Sequence, residues 1–190
     1  MLGAVTIYGI HKWLNPDDVV VLDAIGEPYE QVRGRSHSTL PRLTELNFVN
    51  LYVTRPAMFR FNDPADGFTI PPAKFLSLGA IKEKRVDAVT LSPQLEALPL
   101  DTSMHILVDL QNQLRRGNWR PIRVMDDPPI ENTFATRASI RRCNDPTAYW
   151  QAKDKLQISL NIRCFQRNGH RSEDRYLITL QLARAFVNDD

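Results

Sequence analysis

Side chains able to do chemistry are sparse in this sequence, and their spacing fits no known catalytic pattern. The four histidines are His11, His37, His105 and His170. None belongs to an H-E-x-x-H pair, and none has a neighbour at metal-ligand spacing. His105 reads as a structural or surface histidine on a helix. Ser36-His37-Ser38 sets hydroxyls beside an imidazole, but triads are assembled in space, and sequence neighbours rarely reach each other in the needed geometry. There is no G-x-S-x-G elbow, phosphate-binding loop or G-x-G-x-x-G turn. Asp63, Asp66 and Gly67 resemble part of a calcium loop, yet the spacing and the final bidentate glutamate of such a loop are missing. A tight turn set by Pro64 and Gly67, with Phe59, Phe61 and Phe68 packed round it, accounts for the segment better. Asp126-Asp127 stands beside Pro128-Pro129 in an evident loop. The expectation is a chain with no catalytic residue, no metal ligand and no cofactor, which works by binding another protein.

Residues suited to binding lie in the second half. Between 115 and 142 stand Arg115, Arg116, Arg120, Arg123, Arg137, Arg141 and Arg142, against Asp126, Asp127 and Glu131. Such an excess can face an acidic partner or simply form a solvated rim. Trp13, Trp119 and Trp150 are the largest anchors available. Tryptophan is common both at interface hot spots and in cores. Trp119 reads as packing under the helix before it, whereas Tyr149 and Trp150 fit either role. The binding candidates are therefore Arg115, Arg116, Arg120, Arg123, Tyr149 and Trp150. Cys143 and Cys164 allow one intramolecular disulfide, closing a loop worth roughly 3 kcal/mol in the chain-entropy model. In a reducing compartment they would remain thiols.

The elements that must position these residues follow from periodicity. Asp101–Arg116 is the clearest helix: Met104, Leu107, Leu110, Gln111 and Leu114 recur at helical spacing, Asp101 can cap it, and Gly117 offers a left-handed exit. Thr133–Arg142 predicts a second helix. Asn15-Pro16-Asp17-Asp18 reads as a helix start and Gly26/Pro28 as its stop, giving a short helix over 16–25, although Val19-Val20-Val21 is β-branched. Residues 34–46 read as a loop. Asn47–Val53 and Ala57–Phe61 read as strands, and Lys74–Ala80 with Arg85–Leu91 as a hairpin. The strongest β signal is terminal: Leu156, Ile158, Leu160, Ile162 and Cys164 alternate with polar residues, as do Tyr176, Ile178, Leu180 and Leu182 with their neighbours. Together these give an α+β fold, an antiparallel sheet with two or three helices packed on one face.

The 190 residues, 43% hydrophobic and 24% charged, fit one domain that needs no metal to fold. A net charge of +2 does not suggest a dedicated nucleic-acid binder. Residues 1–14 form a separate N-terminal segment. Leu2–Ile10 is apolar and His11-Lys12-Trp13 follows. The run is shorter than the roughly 20 residues of a transmembrane helix. It fits the outer end of a trimmed membrane anchor, since Lys and Trp favour the interface, or a first strand over Val5–Ile10. The single binding domain then covers 15–190.

Several segments together resemble a known family: Gly26-Glu27-Pro28-Tyr29-Glu30-Gln31-Val32-Arg33; Phe59-Arg60-Phe61-Asn62-Asp63-Pro64 with Gly67-Phe68; Leu91-Ser92-Pro93-Gln94; Asp109-Leu110-Gln111; Trp119; and Tyr149-Trp150-Gln151-Ala152. They resemble small envelope immunity proteins encoded beside type VI secretion effectors of proteobacteria, particularly lipase effectors. The resemblance implies a periplasmic protein, either exported or tethered to the inner membrane, that binds its cognate toxin and blocks the toxin's active site or membrane approach. It carries over no catalytic residue, and the sequence has neither a lipobox nor a full signal peptide. An accessory or assembly module of a secretion or envelope complex is the alternative.

Overall fold

The computed structural model describes residues 18–43, 48–81, 84–124, 128–165 and 174–185. The N-terminal segment 1–14, Trp13, His11, Asp126-Asp127 and His170 lie outside these residues. The elements are β1 (Val19–Leu22), α1 (Tyr29–Arg35), β2 (Phe48–Tyr52), β3 (Ala57–Phe61), β4 (Phe68–Ala73), β5 (Leu76–Ile81), β6 (Arg85–Leu91), α2 (Leu100–Arg116), β7 (Arg120–Ile122), α3 (Phe134–Arg141), β8 (Thr147–Ala152), β9 (Leu156–Phe165) and β10 (Arg175–Arg184). The fold is α+β.

The larger sheet has seven strands in the order β2-β5-β6-β10-β9-β8-β7, all neighbours antiparallel. Its register aligns the alternating apolar residues into rows. One row runs Leu51, Leu78, Val89, Leu182, Ile158, Trp150 and Pro121, from one edge strand to the other. A parallel row is Leu76, Leu91, Leu180, Leu160 and Ala148. Apart from Pro121, every member of both rows is buried. Period-2 patterning produces this alignment, because a one-residue slip in any pair would turn a whole row outward.

A second, three-stranded sheet, β1-β3-β4, was not expected from the sequence. It contains a parallel pair, β1 with β3, beside an antiparallel one. Its apolar side, with Val20, Leu22, Phe59, Phe61, Phe68 and Ile70, joins the same buried cluster as the large sheet. The expected helix over 16–25 is corrected here. Val19–Leu22 is a strand, because three consecutive β-branched valines fit a pleated surface better than a helix. The Gly26 and Pro28 signals also change direction. Gly26 takes a left-handed φ of 96°, and Pro28 stands at the N-cap of α1, so they begin a helix rather than end one. The loop expected from 34 accordingly starts after Arg35.

Helix α2 buries Leu100, Met104, Leu107, Leu110, Gln111 and Leu114 and packs on β10 and β4. Two end assignments shift. Pro99, not Asp101, occupies the N-cap, and Asp101 lies in the first turn, paired with Arg137 of α3. Gly117 has φ −90°, and the left-handed residue is Asn118 at φ 60°. Helix α3 begins as expected, with the Thr133 hydroxyl accepting the Thr136 N–H. Its Phe134, however, is 85% exposed and only Ile140 is buried.

Two buried glutamines join helix, loop and sheet. The Gln94 side chain donates to Tyr176 O (3.1 Å) and accepts from Ile178 N (2.6 Å). It thus acts as a short strand surrogate where β6 no longer pairs with β10. Gln111 donates to Ile130 O at 2.8 Å, tying the segment before α3 to α2.

Candidate functional site

The arginine candidates gather where α2 ends and β7 forms the edge of the large sheet. Arg115, Arg116, Arg120 and Arg123 are all exposed. They do not make one flat patch. Arg115 lies over the Trp150 ring, 5.2 Å from its centroid, and donates to Asn112 Oδ1 at 2.9 Å. Arg120 reaches the other side of the edge, donating to Gln151 Oε1 (3.2 Å) and Asp154 Oδ1 (2.8 Å). The alternation of β7 causes this split: Pro121, exposed at the edge, pairs with Trp150, while Arg120 and the buried Ile122 face the opposite way beside Gln151 and Tyr149. Arg116 borders a shallow depression of about 360 Å³ shared with Asp63, Pro64, Ala65, Gly67 and Gln113.

Trp150 is corrected as a binding candidate. It is fully buried, seated between Pro121 and Ile158 in the core row, and no partner can reach its ring directly. Tyr149, one residue earlier, points the other way and is half-buried. Trp119 is core, as expected. Its ring meets Phe68 edge-on at 6.0 Å, and its indole N–H donates to Asp66 O at 2.7 Å.

The 62–67 segment forms the tight turn that its residue types predict. The Asp63 carboxylate accepts the N–H groups of Ala65 (2.8 Å) and Asp66 (2.9 Å). Gly67 is required by crowding, since a Cβ there would sit 2.5 Å from Asp63 O and 2.9 Å from Phe61 O. Asn118 donates to Ala65 O at 2.8 Å, so the turn is gripped by the residues that follow α2.

On the far side of this turn lies a cleft of about 530 Å³ between the two sheets. The small sheet supplies Ala24, Ile25, Phe61, Asp63 and Asp66. The large sheet supplies the β8–β9 turn, Lys153–Leu156, with Arg184 and Ala185 at the end of β10. Lys153 bridges the walls, its ammonium 2.7 Å from Asp66 Oδ2 and 3.4 Å from Asp63 Oδ1. The Asp66 side chain is 1% exposed, so this charge is buried and must be matched. Lys153 and Asp154 both hold left-handed φ, 52° and 53°, which costs non-glycine residues on the order of 1 kcal/mol each. Nothing in the sequence marks Lys153, Asp154, Lys155 or Arg184. The turn lacks the glycine or asparagine that normally signals a hairpin.

The charges in the cleft are set in the states they hold at neutral pH. Hydrogen bonding to Asp66 raises the Lys153 ammonium above its usual range. Burial works to raise the Asp63 carboxyl, but the Asp66 and Ala65 N–H groups and Lys153 outweigh it and hold the carboxyl below its usual value. A depressed folded pKa gives stability that is present above the unfolded value and lost as pH falls through the folded one. Asp63 should therefore contribute fully at neutral pH and lose that contribution progressively as pH falls below about 4. We expect the Asp63→Asn variant to melt lower than the wild type at pH 7, with the difference narrowing as pH falls below about 4. Thermal melting across this range checks it; parallel pH profiles would refute the role given to Asp63.

The Asp18 carboxylate, 1% exposed, receives the Arg55 fork at 3.1 and 3.3 Å and lies 3.4 Å from His37 Nδ1. The Ser36 hydroxyl accepts the Val21 N–H at 2.9 Å. Ser36 and His37 thus serve the β1 surroundings, with the hydroxyl fixing backbone. His105 is exposed on α2. Among the described residues no group of three or more His, Cys, Asp or Glu is placed to hold a metal ion, and no helix is long and apolar enough to cross a membrane. Cys143 and Cys164 are joined as a disulfide. Compared with known proteins, the chain matches no family model, no curated sequence and no solved structure.

Proposed function

We propose that this protein binds and neutralises a secreted antibacterial toxin, a lipase of the type VI class, at the rim formed by the end of α2 and β7. The observation that carries the binding surface is the set of four exposed arginines, Arg115, Arg116, Arg120 and Arg123, placed on both sides of a short edge strand. The toxin class rests on the sequence resemblance described above. Guanidinium groups at the rim suit carboxylates of a partner, which they meet through two parallel hydrogen bonds. The Arg120–Asp154 pair is solvent-exposed, and such pairs contribute little to stability, so a partner's carboxylate can replace Asp154 at small cost. Tyr149 adds an aromatic surface on the same side as Arg120. Pro121 and the flanking arginines also protect this edge from strand addition, so the contact uses side chains rather than a new strand.

The first experiment mixes the purified chain with the secreted lipase encoded beside it and measures binding by calorimetry and lipase activity in parallel. A one-to-one complex with loss of activity is expected. Absence of binding to every neighbouring secreted protein removes the immunity reading. The Arg120→Glu/Arg123→Glu double variant should bind about tenfold more weakly or worse, about 1.4 kcal/mol. Its residual binding should be less sensitive to salt, and its melting temperature close to wild type. Wild-type affinity in that variant would place the interface elsewhere.

A further inference from the structure

We propose that the cleft between the two sheets binds a small amphiphilic carboxylate, with the anion held by Arg184 and Lys155 and the apolar chain laid against Ile25, Phe61 and Leu156. The cleft's volume of about 530 Å³ lies in the range of small-molecule sites. Its charges divide by what they already touch. Lys153 is taken by Asp66 and Asp63, and Asp154 by Arg120. Asp63 is further satisfied by two backbone N–H groups. Arg184 and Lys155 line the same cleft and make no side-chain hydrogen bond or ion pair among the described residues. Their backbones are adjacent: Arg184 pairs with Leu156, and Ala185 N donates to Lys155 O at 2.8 Å. Two neighbouring cations without counter-charges among the described residues, lining a partly apolar recess, favour an anion.

The backbone supports the same location. The cleft is bordered on one side by Lys153 and Asp154 in left-handed conformation, and on the other by Gly26 at φ 96°. Arg184 Nη2 lies 2.8 Å from where a Cβ on residue 26 would sit, so the guanidinium packs closely over the Gly26 backbone. The left-handed Lys153 and Asp154 are costly for non-glycine residues, and such positions cluster where a site is held in shape for a ligand. Ile25, Phe61 and Leu156 supply the apolar surface. The residues that hold the ligand, Arg184, Lys155, Ile25, Phe61 and Leu156, lie outside the arginine rim, so binding to the isolated chain can be tested without the toxin partner.

The test uses sodium octanoate with the full-length protein, followed by calorimetry and by the Trp119 indole N–H resonance, whose acceptor Asp66 lines the cleft. Saturable binding with a dissociation constant of about 1 mM or tighter is expected. Octanol, which lacks the charge, and acetate, which lacks the chain, should each bind about tenfold more weakly. Arg184→Gln/Lys155→Gln should weaken octanoate by a similar factor and leave octanol unchanged. Added salt should weaken octanoate binding to the wild type, an arm that does not depend on the variant's folding. Octanol or acetate binding as well as octanoate, an unshifted Trp119 resonance, full affinity in a folded double variant, or no saturable binding would each overturn the proposal.

Discussion

Replacing Trp150 by alanine is expected to lower the unfolding free energy by about 3–5 kcal/mol, the range for deleting a large buried aromatic side chain. The ring is fully buried and completes the row that crosses all seven strands, with Ile158 on one side and Pro121 on the other. Its loss leaves a cavity between the edge strand and β9 that neither neighbour can fill. Arg115→Ala removes only the cation above the ring and should cost about 0.5–1 kcal/mol, the scale of an exposed cation–π contact. Trp150→Phe separates size from polarity. The indole N–H is buried and has no hydrogen-bond partner among the described residues, so phenylalanine loses volume but also removes an unsatisfied donor. We expect it to be much milder than alanine. Urea unfolding of the three variants tests the order alanine, then phenylalanine, then Arg115→Ala. A Trp150→Ala protein within about 1 kcal/mol of wild type would return this tryptophan to the list of partner anchors.

The contrast between Trp150 and Tyr149 shows where sequence stops being informative. Both are large aromatics next to a strand, and a six-residue strand such as β8 is too short to reveal its register alone. Only its pairing with β9, Trp150 opposite Ile158 and Tyr149 opposite Ser159, decides which of the two faces the core. Longer strands carry their own answer. The alternation in Leu156–Cys164 and Tyr176–Leu182 predicts the β9–β10 hairpin and its buried face, and the structure pairs Leu160 with Leu180 and Ile162 with Ile178. Helix α2 was equally legible, because its apolar residues repeat over seventeen positions.

The small sheet was hidden for local reasons. Asp17-Asp18 after Pro16 looks like a helix start, and only a partner far along the chain, β3, makes Val19–Leu22 a strand. Strand β4 contains Pro71-Pro72, which normally argues against a strand. It is tolerated because β4 is an edge of its sheet. The cleft is less legible still. Its walls come from the β1–α1 connection, the end of β3, the 62–67 turn, the β8–β9 turn and the end of β10, and no spacing in the sequence brings these together. The arginine rim was visible because Arg115, Arg116, Arg120 and Arg123 are close in sequence. That they straddle an edge strand depends on the alternation of β7 and its pairing with β8.

Removal of the Cys143–Cys164 disulfide is expected to cost about 3 kcal/mol, the chain-entropy value for a loop of this size. The two cysteines are 21 residues apart in sequence and their Cα atoms 5.1 Å apart in the fold, within the usual span of a disulfide. The bond joins the residue after the α3 cap to strand β9. Hydrogen bonds hold the same junction. Cys143 N donates to Ile140 O at 2.8 Å, and Asp145 Oδ1 accepts the Cys164 N–H at 3.0 Å. Asn161 Nδ2 donates to Asp145 O, Pro146 O and Thr147 Oγ1. These contacts should keep the native loop in place when the bond is absent, so its contribution falls mainly on the unfolded chain. The Cys143→Ser/Cys164→Ser protein should therefore fold to the same structure, unfold at lower urea concentration, and bind its partner at the arginine rim unchanged. Reduction of the wild type should produce the same shift. Mass spectrometry of unreduced protein from an oxidising extract should find no free thiol, as a disulfide in an oxidising compartment requires. Two free thiols in that extract, or equal stability of the oxidised and serine forms, would remove the disulfide from the account of this fold.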